Sequence, residues 1–460
     1  MRTSLIFLSL TAFIASSYTV KAQDTTYLSL DDCMKYALKH NYTARNSHLD
    51  VLIQEAQVKE TLAAAYPHIN GKAEFDDYIN PPITLVPPNA LNALGSDTTQ
   101  KQPPKTPTSS DALELSFTPK YSANASVTGS QTIFDGSVLV ALKARKSVME
   151  LARQNEEVSN ETIRYNVLKA YNSLVIAYRQ YDITKSALAY ARSIEHDLIV
   201  TQQAGFAEKI DVERTSVQVN NLATDSIRIE NLLAVSEQAL KFQIGMDINT
   251  PIVLTDTNVA ERKQETLSLL EEEGDYNRIP EFRLSQAALR VNEFNVQRYQ
   301  YAALPSLNVF ANTGYNNASN NFDYLFTKRY YFSSLVGLQL NVPIFNGFLR
   351  TNQLKEAKLN VEKSKNNIEF TKQSIDFQTA QSRTTLKNAI LQVQSQRRNM
   401  ELATDVLDLS QKKYKAGVGS NMEVTTAQTD QLRAQTNYFN ALLDLVNAEA
   451  DLKKALGLLK

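Results

Sequence analysis

Apolar and polar residues alternate along several stretches of this chain, and each pair of stretches gives way to a much longer segment with a seven-residue beat. From 115 to 133 the odd positions carry Leu115, Phe117, Tyr121, Ala123, Ala125, Val127, Gly129 and Ile133, and the even ones carry Ser, Thr, Lys and Asn. Successive side chains of a strand point to opposite faces, so the pattern predicts one strand of 19 residues with an oily and a wet side. Residues 69–79 alternate similarly, with Asn70, Lys72, Glu74 and Asp76 on the wet side, and 307–315 and 330–344 do so more weakly. Strands of soluble proteins are usually about half as long as the longest of these, which favours a membrane barrel.

Glycine and proline are both missing for 68 residues between Gly136 and Gly205 and for 69 between Gly347 and Gly417. Without either helix breaker, in segments rich in Ala, Leu, Lys, Gln and Glu, two uninterrupted helices of roughly 100 Å are predicted. The second carries Leu354, Val361, Ile368 and Ile375 seven apart, then Leu386, Val393, Met400, Leu407 and Tyr414 after a step of 11. That is a coiled-coil seam with one stutter. The first carries Ala144, Leu151, Val158 and Tyr165, then Val167, Leu174, Tyr181 and Leu188 in a shifted frame. Each helix runs into a short turn, with Gly205 and Phe206 in one and Gly417, Val418 and Gly419 in the other, and returns as a second Pro-free helix ending near Gly245 or Gly457.

The two halves repeat. Ala65-Tyr66-Pro67-His68-Ile69 matches Ala303-Leu304-Pro305-Ser306-Leu307 at an offset of 238, and Ile133-Phe134-Asp135-Gly136 matches Ile344-Phe345-Asn346-Gly347 at 211. The difference of 27 falls among Pro81, Pro82, Pro87, Pro88, Pro103, Pro104 and Pro107, whose Asn, Thr and Ser neighbours predict a long exposed loop. Phe322, Tyr324 and Phe326, with Tyr330, Tyr331 and Phe332, are candidates for an interfacial aromatic girdle, core packing being the alternative. The organisation read from this is a leader at 1–22, a first repeat at 23–250, an equatorial connector at 251–279 and a second repeat at 280–460. Strand hairpins fall at 66–136 and 305–347, and helical hairpins at 137–250 and 348–460.

Composition narrows the function. A net charge of −1 over 460 residues offers no footprint for nucleic acid. Four scattered histidines, one cysteine and no Gly-rich phosphate loop give no catalytic, cofactor or metal constellation, so no enzyme is expected. Arg2, an apolar run over 5–15 and Val20-Lys21-Ala22 before Gln23 read as a secretory leader, and Cys33 stands too far on to carry a lipid. No later stretch is a spanning helix by length and hydropathy, so membrane entry must be as strands. Four strands cannot close a barrel, which requires several chains; two, three and four copies all remain possible at this point.

The order helix, Pro, strand, loop, strand, Ile-Phe-Asp/Asn-Gly, long helix, glycine turn, returning helix, twice over, resembles the TolC family of outer-membrane efflux proteins. Ile133–Gly136, Ile344–Gly347 and the turn 415–419 carry the resemblance most specifically, although the turns read Ala-Gly-Phe and Ala-Gly-Val where Val-Gly-Leu is common in the family. The resemblance implies a mainly α fold with a shared membrane β-barrel of 12 strands from three chains, continued by a periplasmic α-helical tunnel. It implies a passive duct in the outer-membrane lipid, joined to a periplasmic adaptor and an inner-membrane transporter. The tip residues Gly205, Phe206, Gly417, Val418 and Gly419 are then expected to dock the adaptor, or else only to close the hairpins. Asp405 and Asp408, three apart on one helix and two to three turns from Gly417, lie where the family has an acidic constriction; an ordinary solvated face beside Lys412 and Lys413 is the alternative. The competing function is a structural or adhesive coiled coil that spans the periplasm without a conducting lumen.

Overall fold

The computed structural model describes residues 26–86, 113–255 and 263–459. The expected leader, most of the Pro-rich loop and 256–262 lie outside the described residues. The chain divides into two units: 1–51, 153–284 and 368–460 form one, and 52–152 and 285–367 the other.

The first unit is helical. Strand β1 (Thr26–Leu28) leads into α1 (Leu30–His40), whose start is fixed by reciprocal bonds between Ser29 and Asp32. Helix α2 (Tyr42–Ala63) follows after Asn41. The two long helices, α3 (Gly136–Gln203) and α8 (Leu349–Lys415), begin in the second unit and belong to the first from 153 and 368 onward, and their returning partners are α4 (Lys209–Ile244) and α9 (Asn421–Ala455). Each agrees closely with the span free of Gly and Pro. Cys33, Ala37, Val167, Tyr171, Leu174, Leu240 and Ile244 form one buried cluster, and Leu269, Leu386, Leu452 and Leu456 another. Gly245 ends α4 at φ 74°, and a Cβ there would stand 2.7 Å from the His40 carbonyl oxygen, so only glycine lets α4 finish against α1.

The connector holds strand β6 (Ile252–Leu254), helix α5 (Lys263–Glu271) and a single 3-10 turn at Tyr276–Arg278, and leads into α6 (Pro280–Tyr301). It is clipped to α8: Tyr276 Oη donates to Asp376 Oδ1 at 2.6 Å, and an Arg383 guanidinium N–H donates to the Glu272 carbonyl. Strand β6 pairs in parallel with β1, a pairing that the sequence reading did not anticipate.

The second unit centres on a sheet of four antiparallel strands in the order β2 (His68–Asp77), β5 (Tyr121–Phe134), β7 (Ser306–Ser319), β8 (Tyr331–Asn341). The expectation of one strand over 115–133 is corrected. The alternation is broken at 116–120, and a separate short strand β4 (Leu113–Leu115) pairs with β3 (Thr84–Val86). Pro119 sits in that gap; it has no N–H to donate to a ladder, so a single long strand cannot run through it. Pro343 likewise follows the end of β8, three residues short of the expected 344. A one-turn helix α7 (Tyr324–Thr327) caps the β7–β8 hairpin; Leu325 is buried and Asn317 Nδ2 donates to the Tyr324 and Leu325 carbonyls.

Candidate functional site

The sheet register sorts the side chains into two faces. Ile69, Ala73 and Phe75 of β2 share a face with Tyr121, Ala123, Ala125, Val127 and Gly129 of β5, with Tyr315, Ala311 and Val309 of β7, and with Phe332, Val336, Leu338 and Leu340 of β8. The opposite face carries Asn70, Lys72, Glu74 and Asp76, then Ser122, Asn124, Ser126 and Thr128, then Asn308, Asn312 and Asn316, then Ser333 and Gln339. On the apolar face Ile69, Phe75, Val127, Tyr315, Val336, Leu338 and Leu340 are all exposed, Val336 and Leu338 at 72% each. Burying such a continuous surface is worth about 25 cal/mol per Å², so leaving it bare to water in the working protein is not sustainable. At the hairpin end Phe75, Tyr121, Phe322 and Phe326 form a chain of ring contacts 5.4 to 6.4 Å apart between centroids, and Tyr315 meets Phe332 at 5.3 Å. Phe322, Phe326, Tyr331 and Phe332 stay exposed, so the alternative of core packing fails for them. Among the described residues no helix is long and apolar enough to cross a membrane.

In the helical unit the two tips are built alike. Gly205 at φ 81° and Gly417 at φ 73° each follow a long helix. Gly205 N donates to Gln202 O and Phe206 N to Thr201 O; Gly417 N donates to Tyr414 O and Val418 N to Lys413 O. This is the paired 6→1 and 5→2 bonding of a glycine C-cap, in which the residue after the glycine ordinarily rests its apolar side chain on the last helical turn. Here that turn offers Thr201 and Lys413 instead, and Phe206 is left 86% and Val418 73% exposed. The tips are stitched together just beyond their turns: buried Asn421 donates to Thr215 Oγ1 at 3.1 Å, and Arg214 reaches Met422 Sδ at 3.7 Å. Gly419 is packed against the end of α8, where an added Cβ would stand 3.0 Å from Lys413 Cβ.

Asp405 and Asp408 are both exposed on α8, while Leu407 between them is buried with Val424 and Ala427 of α9. Asp408 Oδ2 pairs with Lys412 Nζ at 2.5 Å. The coiled-coil seam positions from Leu354 to Tyr414 are buried or half-buried, whereas Leu359, Phe370, Phe377, Leu391, Leu402 and Leu409 are exposed. These lie two residues off the seam, about 200° around the helix at 3.6 residues per turn, so α8 has a second apolar stripe opposite the first.

Three buried charges among the described residues escaped the sequence reading: Lys241 and Glu449 lie in ion pairs with Glu237 and Lys453, and Glu161 lies in none. Glu161 of α3 is 2% exposed, and its Oε2 has no hydrogen-bond partner. Burial, then Glu281 of α6, push its carboxyl up to about 7, against the opposing pull of Lys454 of α9; Glu157 raises it further and Arg164 lowers it. Its position three after Val158 and four before Tyr165, at a core site of the heptad frame, was the available signal.

Residues 277–458 match the family model for outer membrane efflux proteins. Over that stretch the chain is similar to outer membrane efflux proteins. It is 23% identical to the toluene efflux pump outer membrane protein TtgC of Pseudomonas putida over 379 residues, covering 80% of this chain and 75% of the relative. It is 23% identical to the outer membrane protein TolC of Escherichia coli over 352 residues, covering 73% and 69%. Among solved structures, the Campylobacter jejuni CmeC outer membrane channel superposes with a TM-score of 0.70 at 17% identity, over 93% of this chain and 85% of that one. The open state of the Neisseria gonorrhoeae MtrE outer membrane channel does so with a TM-score of 0.68 at 16% identity, over 93% and 88%. The fold is thus that of these outer membrane channels.

Proposed function

We propose that the protein is the outer-membrane duct of a tripartite export system, in which three copies share one 12-stranded barrel and pass small molecules or polypeptides outward without a chemical step of their own. The observation that carries this is the four-stranded sheet, exposed on its apolar face and, among the described residues, unpaired at both edges, β2 and β8. Open edges are not tolerated in lipid, so the sheet enters the outer membrane only by joining further copies. The second apolar stripe of α8 supports a helical ring of the same copies in the periplasm. Phe206 and Val418 offer paired apolar studs to a periplasmic adaptor, through which an inner-membrane transporter supplies the energy. Asp405 and Asp408 form the acidic constriction, with Lys412 offsetting the charge of Asp408.

The test is reconstitution of the full-length protein in planar bilayers. Discrete single-channel currents from a purified oligomer are the expected result. An oligomer that inserts stably and never conducts would favour the structural or adhesive coiled coil instead.

A further inference from the structure

The two strand hairpins are related by the sequence repeat more tightly than matching motifs require. His68 pairs with Ser130 in the first hairpin. Advancing the first residue by 238 and the second by 211 gives Ser306 and Asn341, which is an observed pair of the second hairpin. The same two offsets carry Ala73↔Ala125 onto Ala311↔Val336, also observed. Offsets found by aligning sequence therefore reproduce strand register, and β2 with β7, and β5 with β8, are structural equivalents. The seam between β5 and β7 lies inside one chain, and its equivalent joins β8 to a β2 that only another copy can supply.

We infer that β8 closes onto β2 of a neighbouring copy in the register that this equivalence dictates, with Leu338 opposite Phe75 of the partner subunit. The inference rests on the shared-barrel reading above. Val127↔Thr313 of the internal seam becomes Leu338↔Phe75, Thr128↔Asn312 becomes Gln339↔Glu74, Gly129↔Ala311 becomes Leu340↔Ala73, and Ser130↔Phe310 becomes Asn341↔Lys72.

Three features agree. First, the register keeps faces matched: Leu338 and Leu340 meet Phe75 and Ala73 on the apolar side, and Gln339 and Asn341 meet Glu74 and Lys72 on the wet side. A slip by one residue would set every one of these against the wrong face. Second, the internal seam needs a glycine where Ser126 faces Gly314, since a Cβ on Gly314 would come within 2.6 Å of the Ala125 carbonyl oxygen. In the proposed seam the equivalent pair is Gly337 and Asp76, so a glycine is again present, on the other strand; within the chain the same Gly337 makes room for the Phe310 ring, where an added Cβ would stand 2.5 Å from Cζ. Third, Gly136 starts α3 against the end of α6, where an added Cβ would lie 2.4 Å from the Tyr301 carbonyl oxygen. Its equivalent Gly347 has nothing within 4 Å, and the flanking Ile344 and Phe345 are 92% and 74% exposed. The equivalent of Tyr301 is Ala63, so the end of α2 in the next copy fills that space and the exposed foot 344–348 docks there.

Paired cysteines in the full chain test this, against a background of one buried thiol, Cys33. Leu338→Cys with Phe75→Cys, and Gln339→Cys with Glu74→Cys, sample both kinds of antiparallel site. Under mild oxidation in outer-membrane vesicles, one or both should convert most of the protein to a chain-to-chain covalent oligomer on non-reducing gels. Leu338→Cys with Ala73→Cys, and Leu338→Cys with Asp77→Cys, two residues out of register each way, should give several-fold less. Stronger cross-linking by a shifted pair, or an intact oligomer that no pair cross-links, overturns the register and leaves the shared barrel standing. Monomers by light scattering, with no cross-link from any pair, would overturn the shared-barrel reading itself.

Discussion

The helical unit and the strand unit obey opposite rules for apolar side chains. In the first, Tyr171, Leu174, Leu240, Leu386 and Leu452 are fully buried in clusters that the chain completes by itself. In the second, Phe75, Val336, Leu338 and Leu340 form a continuous face that the chain leaves bare. Both units have amphipathic elements, so the difference lies in what solvates them. The buried helix faces find another helix of the same chain, and only the second stripe of α8 is left to the proposed ring of copies; a strand face that lipid covers needs no cover of protein.

The largest effect should come from reversing that rule in the sheet. Val336→Arg places a charge on the lipid side, costing about 2–4 kcal/mol per copy near the bilayer midplane. Ser126→Arg puts the same charge on the wet side. Fractionation of outer membranes should show the first variant largely lost from the membrane and the second retained. Equal retention would remove the assignment of the two faces.

Next in size is a loss of export without loss of assembly. Phe206→Glu with Val418→Glu replaces both exposed studs while leaving the glycine turns intact. Oligomer yield in the membrane should be unchanged, and compound efflux should fall at least tenfold, as should co-purification of the adaptor. Normal efflux would reduce the tips to simple helix closures.

Within the helical unit, Glu161 sharpens the contrast, being a buried carboxyl with one oxygen left without a hydrogen-bond partner. Its carboxyl titrates at about 7 in the folded protein against 4.5 for an unperturbed one. A raised acid pKa means that folding favours the protonated form: stability from this group is full below about pH 4.5 and is lost as pH rises to about 7. The loss is on the order of 3 kcal/mol per chain. Thermal melts of the oligomer at pH 5 and pH 8 should therefore differ more for the native protein than for Glu161→Gln, and parallel curves would contradict the assignment.

The smallest change concerns the constriction. Asp405→Asn with Asp408→Asn should lower cation over anion permeability about two- to fivefold in bilayers, and Lys412→Gln, which frees Asp408, should raise it. If neither variant moves the reversal potential, both carboxylates stand outside the conduction path and form an ordinary solvated face.

Much of this architecture was legible before any coordinates. The long helices were visible because a missing residue type is unambiguous: 68 positions with no Gly or Pro leave nothing to stop a helix. Strand faces were readable from parity, yet parity alone carried one strand through Pro119, whose missing N–H mattered more than its place in the alternation. The glycine turns at Gly205 and Gly417 were found by their residue type, whereas their shared cap geometry and the Thr215–Asn421 stitch between them depend on residues distant in sequence. The β1–β6 pair was invisible for the same reason: three residues are too few to show a period, and their partner lies more than two hundred residues away.

That pair also sets a schedule. Thr26, Tyr27 and Leu28 find their ladder partners only at Ile252, Val253 and Leu254. At typical synthesis rates of about 5–20 residues per second, the beginning of the chain is without them for roughly 10–45 s. Closing so long a loop adds little entropic cost beyond that of a shorter one, since the penalty grows only with the logarithm of length. The delay is therefore one of chain order more than of energy: α1 can form early on its own capping box, but it cannot be seated until the whole first repeat has been delivered. A nascent chain interrupted before residue 252 would lack the strand that moors its first helix.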